Sequence, residues 1–226
     1  MCLDAGSMPR LSKKNIRCSG VKIRGGMMMD LIIKNGIVVT PLEVFKADIG
    51  IKNEKIICIA DQIEAEANES IDASGRYILP GAIDVHTHID HWGGGAKTND
   101  DFYSGSISAA YGGVTTFMDF AMQKKGESAL ESINRRRQAA DGQVVIDYGL
   151  HANLTDLNEE TFNSLGKIVA DGYTSFKLFM TFQKAGFIVE DGTLYAVMTE
   201  MSNLGGLIGI HAENDGICEY LTSKLI

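Results

Sequence analysis

The sequence predicts an α/β protein in which a small strand-rich module precedes a run of βα units. Three observations carry this. Residues 29–80 contain short apolar runs separated by polar turns. After Pro80-Gly81, apolar strand-like runs alternate with helix-like stretches, the pattern of a parallel sheet covered by helices. The composition is that of a globular chain: 226 residues, 45% hydrophobic and 22% charged, with 25 Gly and 3 Pro, which excludes a disordered chain, a collagen repeat or a coiled coil.

Residues 1–28 hold six bases and one acid and have no hydrophobic periodicity. They read as a disordered basic extension ahead of a start at Met27, Met28 or Met29; their basic, acid-poor character also fits an organelle transit peptide. The module over 29–80 reads as part of a small β-sandwich. Leu31–Lys34 and Ile37–Val39 flank Asn35-Gly36, a hairpin signal. Ala47–Lys52 and Lys55–Ile59 flank an Asn53-Glu54 turn, and Ser70–Asp72 and Tyr77–Leu79 follow. In the third region, residues 81–226, strands are expected at Ala82–His88, Thr115–Asp119, Val144–His151, Thr174–Phe179 and Leu207–His211. Helices are expected near Phe102–Tyr111, Ser128–Ala140, Glu159–Ala170 and Leu194–Leu204, with another opening after Asn214. Gly112-Gly113 reads as a helix end leading into a strand. A doubly wound sheet and a (β/α)₈ barrel both fit this order; no G-x-G-x-x-G follows the first strand, which weakens a dinucleotide-binding version.

Net charge is −8, and beyond residue 28 the chain carries 15 bases and 28 acids. Such an acidic body argues against nucleic acid as a partner, since phosphate binding needs clustered Lys and Arg. The one dense basic run, Arg135-Arg136-Arg137, lies in a helical pattern and reads as a solvated face. No apolar run approaches the ~18 residues of a membrane span. The four cysteines (Cys2, Cys18, Cys58, Cys218) form no Cys-x-x-Cys pair, so neither a disulfide framework nor a thiolate metal site is indicated and a cytoplasmic location is expected.

All five histidines lie beyond residue 80, and all but His91 fall at the ends of expected strands, where barrel active sites are built. In His86-Thr87-His88 the period of two aims both imidazoles to one side, as a pair of metal ligands requires. Asp84 and Asp90 share that parity and suit a supporting role. Lys177 interrupts the apolar run Phe176–Phe179 and shares its face with Ser175 and Phe179. A desolvated amine there can be a Schiff-base nucleophile, a structural ion-pair partner, or, by reaction with CO₂, a carbamate ligand. His211 ends the fifth strand facing inward. His151 reads as structural or supporting. Gly93-Gly94-Gly95 reads as a rim loop, because no P-loop Lys-Ser/Thr follows it.

Together, Pro80–His88, Gly113-Val114-Thr115-Thr116, Ser175–Met180 and His211-Ala212-Glu213-Asn214 resemble the dihydropyrimidinase/hydantoinase branch of the cyclic amidohydrolases, over about residues 29–226. The resemblance implies a metal-dependent (β/α)₈ TIM barrel with a β-sandwich built from both chain ends. It implies two divalent ions, Zn²⁺ by preference: His86 and His88 hold the first, a CO₂-derived carbamate on Lys177 bridges, and His211 holds the second. The implied reaction is ring opening of a dihydropyrimidine or hydantoin to an N-carbamoyl amino acid by metal-activated water. Dihydroorotases place an Arg shortly after the His-x-His pair; here no base precedes Lys97, which points to a small neutral cyclic ureide or imide. Full-length members are homo-oligomers, often tetramers. Two departures stand out. Phe182 occupies the position where the family has a substrate-binding Tyr that donates to the oxyanion. The chain also stops just after the fifth strand, so it is expected to be an N-terminal fragment, lacking a fourth histidine and the aspartate that serves as general base. The alternatives are a non-enzymatic scaffold similar to the collapsin response mediator proteins, or an inactive fragment.

Overall fold

The structure, a computed structural model, describes residues 18–24, 28–93 and 95–225. The chain divides into two compact units, Met1–Pro80 and Gly81–Ile226. Of the stretch expected to be an unstructured extension, residues 1–17 and 25–27 lie outside the described residues, as does Gly94 of the triple-glycine loop.

The first unit is one mixed sheet of β1 (Cys18–Arg24), β2 (Met29–Val39), β3 (Val44–Lys52), β4 (Lys55–Glu64), β5 (Ala67–Asp72) and β6 (Tyr77–Ile78), in the order β1-β4-β3-β2-β5, with β6 added to β2. The expectation over 29–80 is part of a sandwich, and this unit supplies one sheet. Its strands pair into a single hydrogen-bonded layer, because β2, β3 and β4 form an antiparallel meander and β1, β5 and β6 add to it in parallel. Within 1–28, the described stretch Cys18–Arg24 forms β1, which corrects the expectation of disorder for those seven residues. Val21 and Ile23 give it β-branched character, and the edge of β4 supplies the free backbone groups it pairs with.

A second correction concerns Asn35-Gly36, which is a bulge inside the continuous strand β2 and not a hairpin turn. Asn35 takes a left-handed φ of 61°, and the amide it frees donates to Asp48 Oδ1 at 2.8 Å. The Asn35 side chain reaches Asp72 Oδ1 at 3.0 Å. Buried Asp48 also accepts from Ile63 N at 2.9 Å, so one carboxylate ties the bulge to β4. The true hairpin turn lies at Asn53 and Glu54, both left-handed (φ 49° and 62°), as a two-residue connection with matching twist requires.

The second unit contains a parallel sheet of β7 (Ala82–Thr87), β10 (Val114–Met122), β11 (Asp147–Asn153), β12 (Ser175–Phe179) and β13 (Leu207–His211). A short ribbon, β8 (Trp92–Gly93) and β9 (Ala96–Lys97), follows β7. The helices are α1 (Phe102–Tyr111), α2 (Ala129–Ala140), α3 (Glu159–Ala170), α4 (Asp191–Leu204) and α5 (Asp215–Leu225). Spatial order follows chain order without reversal, β7-β10-β11-β12-β13. A doubly wound sheet reverses at a switch point; an unreversed parallel order is the winding of a barrel. Boundaries follow local chemistry. Ser128 and Glu131 form a capping box on α2, Asp101 and Ser104 form one on α1, and Asn158 caps α3.

The helices cover one face of this sheet. Ile133 of α2, Leu165 and Ile168 of α3 and Val197 and Met201 of α4 bury Leu150, Ala152, Phe176 and Leu178 of the strands. The opposite parity carries polar groups on β11 (His151, Asn153) and β12 (Ser175, Lys177), whereas β10 presents Met118, Phe120 and Met122 there. Gln123, buried at the end of β10, fixes the loops on that rim: its Nε2 donates to Glu127 O and Thr161 Oγ1 (2.8 and 3.2 Å), and its Oε1 accepts from Thr155 N and Asp156 N (3.1 and 3.0 Å).

The arginine run is only partly the solvated face expected of it. Successive helical residues point about 100° apart, so three in a row cannot all face water. Arg135 pairs with Glu127 and Arg137 with Asp141, both near the surface. Arg136 turns inward: its side chain, 11% exposed, lies 2.7 Å from Asp119 Oδ1, itself 1% exposed. Removing one partner of a buried ion pair costs about 3–5 kcal/mol because the other charge is stranded. Arg136→Met should therefore destabilise the fold by about that amount in urea denaturation, and Asp119→Leu added to it should recover much of the loss; Arg137→Met should change little. Equal small effects from Arg136→Met and Arg137→Met would show that the pair does not hold the fold.

Candidate active-site face

The face of the second unit turned away from the helices carries the candidate residues. His86 is the penultimate residue of β7 and His88 follows the strand, with ring centroids 5.2 Å apart in an edge-on arrangement. Their direction is set from behind. Thr87, between them, points the other way and donates to Met118 O at 3.0 Å and to Asp119 Oδ2 at 3.3 Å. Asp119 Oδ2 also accepts from Ile89 N at 2.8 Å, while Arg136 donates to the carbonyls of Ile89 and Asp90. Asp90 then turns with a left-handed φ of 46° and pairs with Lys97 at 2.5 Å.

Phe120, on β10, was not singled out by sequence reasoning, yet it is the centre of the first group. Its ring lies 4.6 Å from His86, 4.7 Å from His88 and 4.8 Å from His151, centroid to centroid. His91 joins at 5.0 Å from His88. His151 has both nitrogens engaged, with Nε2 2.9 Å from Val85 O and Nδ1 2.7 Å from Ser175 Oγ. A carbonyl can only accept, so Nε2 carries the proton and Nδ1 accepts from Ser175.

Lys177 and His211 belong to a second group, centred on Phe179. Lys177 Nζ lies 5.3 Å from the Phe179 ring centroid. The His211 ring stacks on Phe179 at 5.8 Å and meets Phe182 edge-on at 5.1 Å, and its Nε2 is 3.2 Å from Glu213 Oε1. Phe182 itself has a left-handed φ of 65°; Asp215 Oδ1 brackets it by accepting from Thr181 Oγ1 at 3.0 Å and Gln183 N at 3.3 Å.

The structure thus sets His86 beside His88 and places Lys177 and His211 each against Phe179, while the His151–Ser175 hydrogen bond links β11 to β12. Imidazoles with an amine on one sheet face are a donor set that suits a divalent metal. Among the described residues, however, no three His, Cys, Asp or Glu side chains converge closely enough to hold one. Asn153 is a further residue that motif reading passed over: it is 1% exposed and stands beside Lys177 in the strand register.

Burial, with His91 and His86 nearby, pushes the His88 imidazole below its ordinary value; burial and Arg136 do the same to His91. Burial also lowers the Lys177 amine. The folded protein therefore favours neutral His88 and His91, while the unfolded chain binds protons at the ordinary imidazole pKa of 6.5. Stability should be full above that value and fall as pH drops through it. Urea midpoints of the metal-free protein should be lower at pH 5.5 than at 7.5, with a smaller difference in the His88→Gln/His91→Gln variant. An unchanged difference would exclude these two groups as its source.

A family model described as the N-terminal domain of the urease alpha-subunit matches residues 13–77. The D-hydantoinase of Geobacillus stearothermophilus is 41% identical over 199 residues, 88% of this chain and 42% of that protein. Dihydropyrimidinase 2 of Caenorhabditis briggsae is 38% identical over 203 residues, covering 87% of this chain and 39% of its own length. The crystal structure of dihydropyrimidinase from Brevibacillus agri superimposes with a TM-score of 0.82 at 40% identity, over 87% of this chain and 42% of that one. The chain thus spans about two fifths of the length of the relatives it matches. By sequence and by fold, this chain is related to the D-hydantoinases and dihydropyrimidinases.

Proposed function

We propose that the chain takes part in hydrolysis of a cyclic amide, the ring opening of a dihydropyrimidine or hydantoin to an N-carbamoyl amino acid. The observation that supports this reading is the placement of His86 and His88 at β7 and of Lys177 and His211 on the adjacent strands β12 and β13 of one parallel sheet, in a chain related to hydantoinases. In this reading His86 and His88 would hold a first divalent ion, zinc by preference, His211 a second, and a carboxylated Lys177 would link them. Such ions, when bound, supply the Lewis acidity that brings a water toward ionisation near neutral pH. The residues' own contribution is orientation: Asp119 and Arg136 hold the backbone of Ile89 after His88, Asp119 also takes the Thr87 hydroxyl before it, and the Asp215 bracket holds Phe182 against His211. A neutral ring is the fitting substrate, since the first base after the His pair, Lys97, is already paired with Asp90.

One observation favours a second reading, a non-catalytic scaffold. Phe182 has no hydroxyl, and an oxyanion donor is worth about 2.7–4 kcal/mol, or 10²–10³ in rate. Zinc titration with hydantoin and dihydrouracil ring-opening assays separates the two. Four ligands fall short of two sets of three, so turnover should be slow and zinc below one per chain. The turnover should rise with added zinc, vanish in His86→Ala and increase about 10²–10³-fold in Phe182→Tyr. Rates at the buffer level for both the zinc-loaded chain and Phe182→Tyr would favour the scaffold.

A further inference from the structure

The register of β11 and β12 sets Asn153 directly beside Lys177, with both side chains on the face that carries His151 and Ser175. Asn153 is 1% exposed. Its Nδ2 is turned to Met122 Sδ on β10, and its Oδ1, buried, has no hydrogen-bond partner. Buried amide oxygens are almost always satisfied, and one left open disfavours the fold unless something else fills it. The donor nearest in the register is the Lys177 amine. Its Nζ here lies toward the Phe179 ring, so a contact with Asn153 Oδ1 needs another rotamer of its flexible four-carbon stem.

We infer that Asn153 is a positioning residue for Lys177: its Oδ1 accepts the N–H that Nζ retains after the amine has added CO₂. The chemistry balances with one co-reactant. The neutral amine's lone pair forms an N–C bond to CO₂, one proton leaves to solvent, and the product –NH–COO⁻ keeps a single N–H. That N–H must point somewhere if the two carboxylate oxygens are to be aimed consistently, and a fixed acceptor on the neighbouring strand selects one rotamer. The inference rests on the carboxylated-lysine reading above and deepens it. It adds the residue that orients the nitrogen, where that reading concerned only the oxygens.

The experiment uses the whole chain with added zinc and ¹³C-bicarbonate, following the carbamate carbon by ¹³C NMR with Lys177→Ala as the blank. One hydrogen bond corresponds to about three- to tenfold in an equilibrium constant. Asn153→Leu, close in shape but without an acceptor, should therefore raise the bicarbonate needed for half-modification by that factor. Met122→Leu, which removes only the contact of Nδ2, should leave it within about twofold; a purely structural role for Asn153 would move both. A second readout needs no variant of Asn153. The Asn153 side-chain amide resonance should shift when bicarbonate is added to the parent and stay put in Lys177→Ala. A normal carbamate signal in folded Asn153→Leu at unchanged bicarbonate overturns the positioning role alone, as does an unmoved Asn153 resonance in a carboxylated parent. Absence of any Lys177-dependent signal in the parent overturns the carbamate itself, and the positioning role with it.

Discussion

A carboxylate at 1% exposure and a guanidinium at 11% are an expensive pair to remove from water, and Asp119 and Arg136 meet the cost by using most of their hydrogen-bonding capacity. Asp119 accepts from its partner, from Thr87 and from the amide of Ile89, while Arg136 donates onward to two carbonyls of the same loop and lies over the Phe102 ring at 4.4 Å. The pair joins the second strand of the parallel sheet, its covering helix and the chain segment just past the first strand. His88 belongs to that segment, and His86 lies two residues before it on the strand. Their aim is set from the far side of the sheet.

This arrangement also shapes the electrostatics. Asp119 raises proton affinity at His88 and His91 while Arg136 lowers it, and burial is the leading influence on His88, His91 and Lys177 alike. Burial thus disfavours the charged forms of His88, His91 and Lys177. Phe120 and Phe179 each gather one set of the candidate residues, and His151 engages both ring nitrogens, with Val85 O and Ser175 Oγ.

Where local chemistry decided the outcome, the sequence was readable. β13 at Leu207–His211 and the helices Phe102–Tyr111 and Glu159–Ala170 fall where apolar spacing and Ser, Asp or Asn caps put them. The strand expected from Val144 begins at Asp147 instead. Val144 N still closes the end of α2 through Ala140 O, and Val145 N is taken by the Ser106 hydroxyl of α1, a contact no local pattern encodes. The histidines and Lys177 were legible because polar residues at apolar strand ends stand out. Phe120, Asn153 and Arg136 were not, since an aromatic in a strand, an asparagine near a loop and an arginine on a helix look ordinary until the register sets them beside something.

The bulge at Asn35 has a consequence for the first unit. Ile32 and Val38 are six residues apart, and in a regular strand both would project to the same side. Ile32 packs with Met29, Ala60 and Ile63, whereas Val38 packs with Phe45, Ala47, Ile49 and Ile59, a different cluster. The extra residue switches the phase of the strand halfway along, so that one strand feeds apolar side chains first to one surface of the sheet and then to the other. Asp48 and Asp72 stabilise that switch by capturing the groups it sets free. Deleting Asn35 would then shorten the strand by one residue and also invert half of it, turning the Val38 side toward the wrong core.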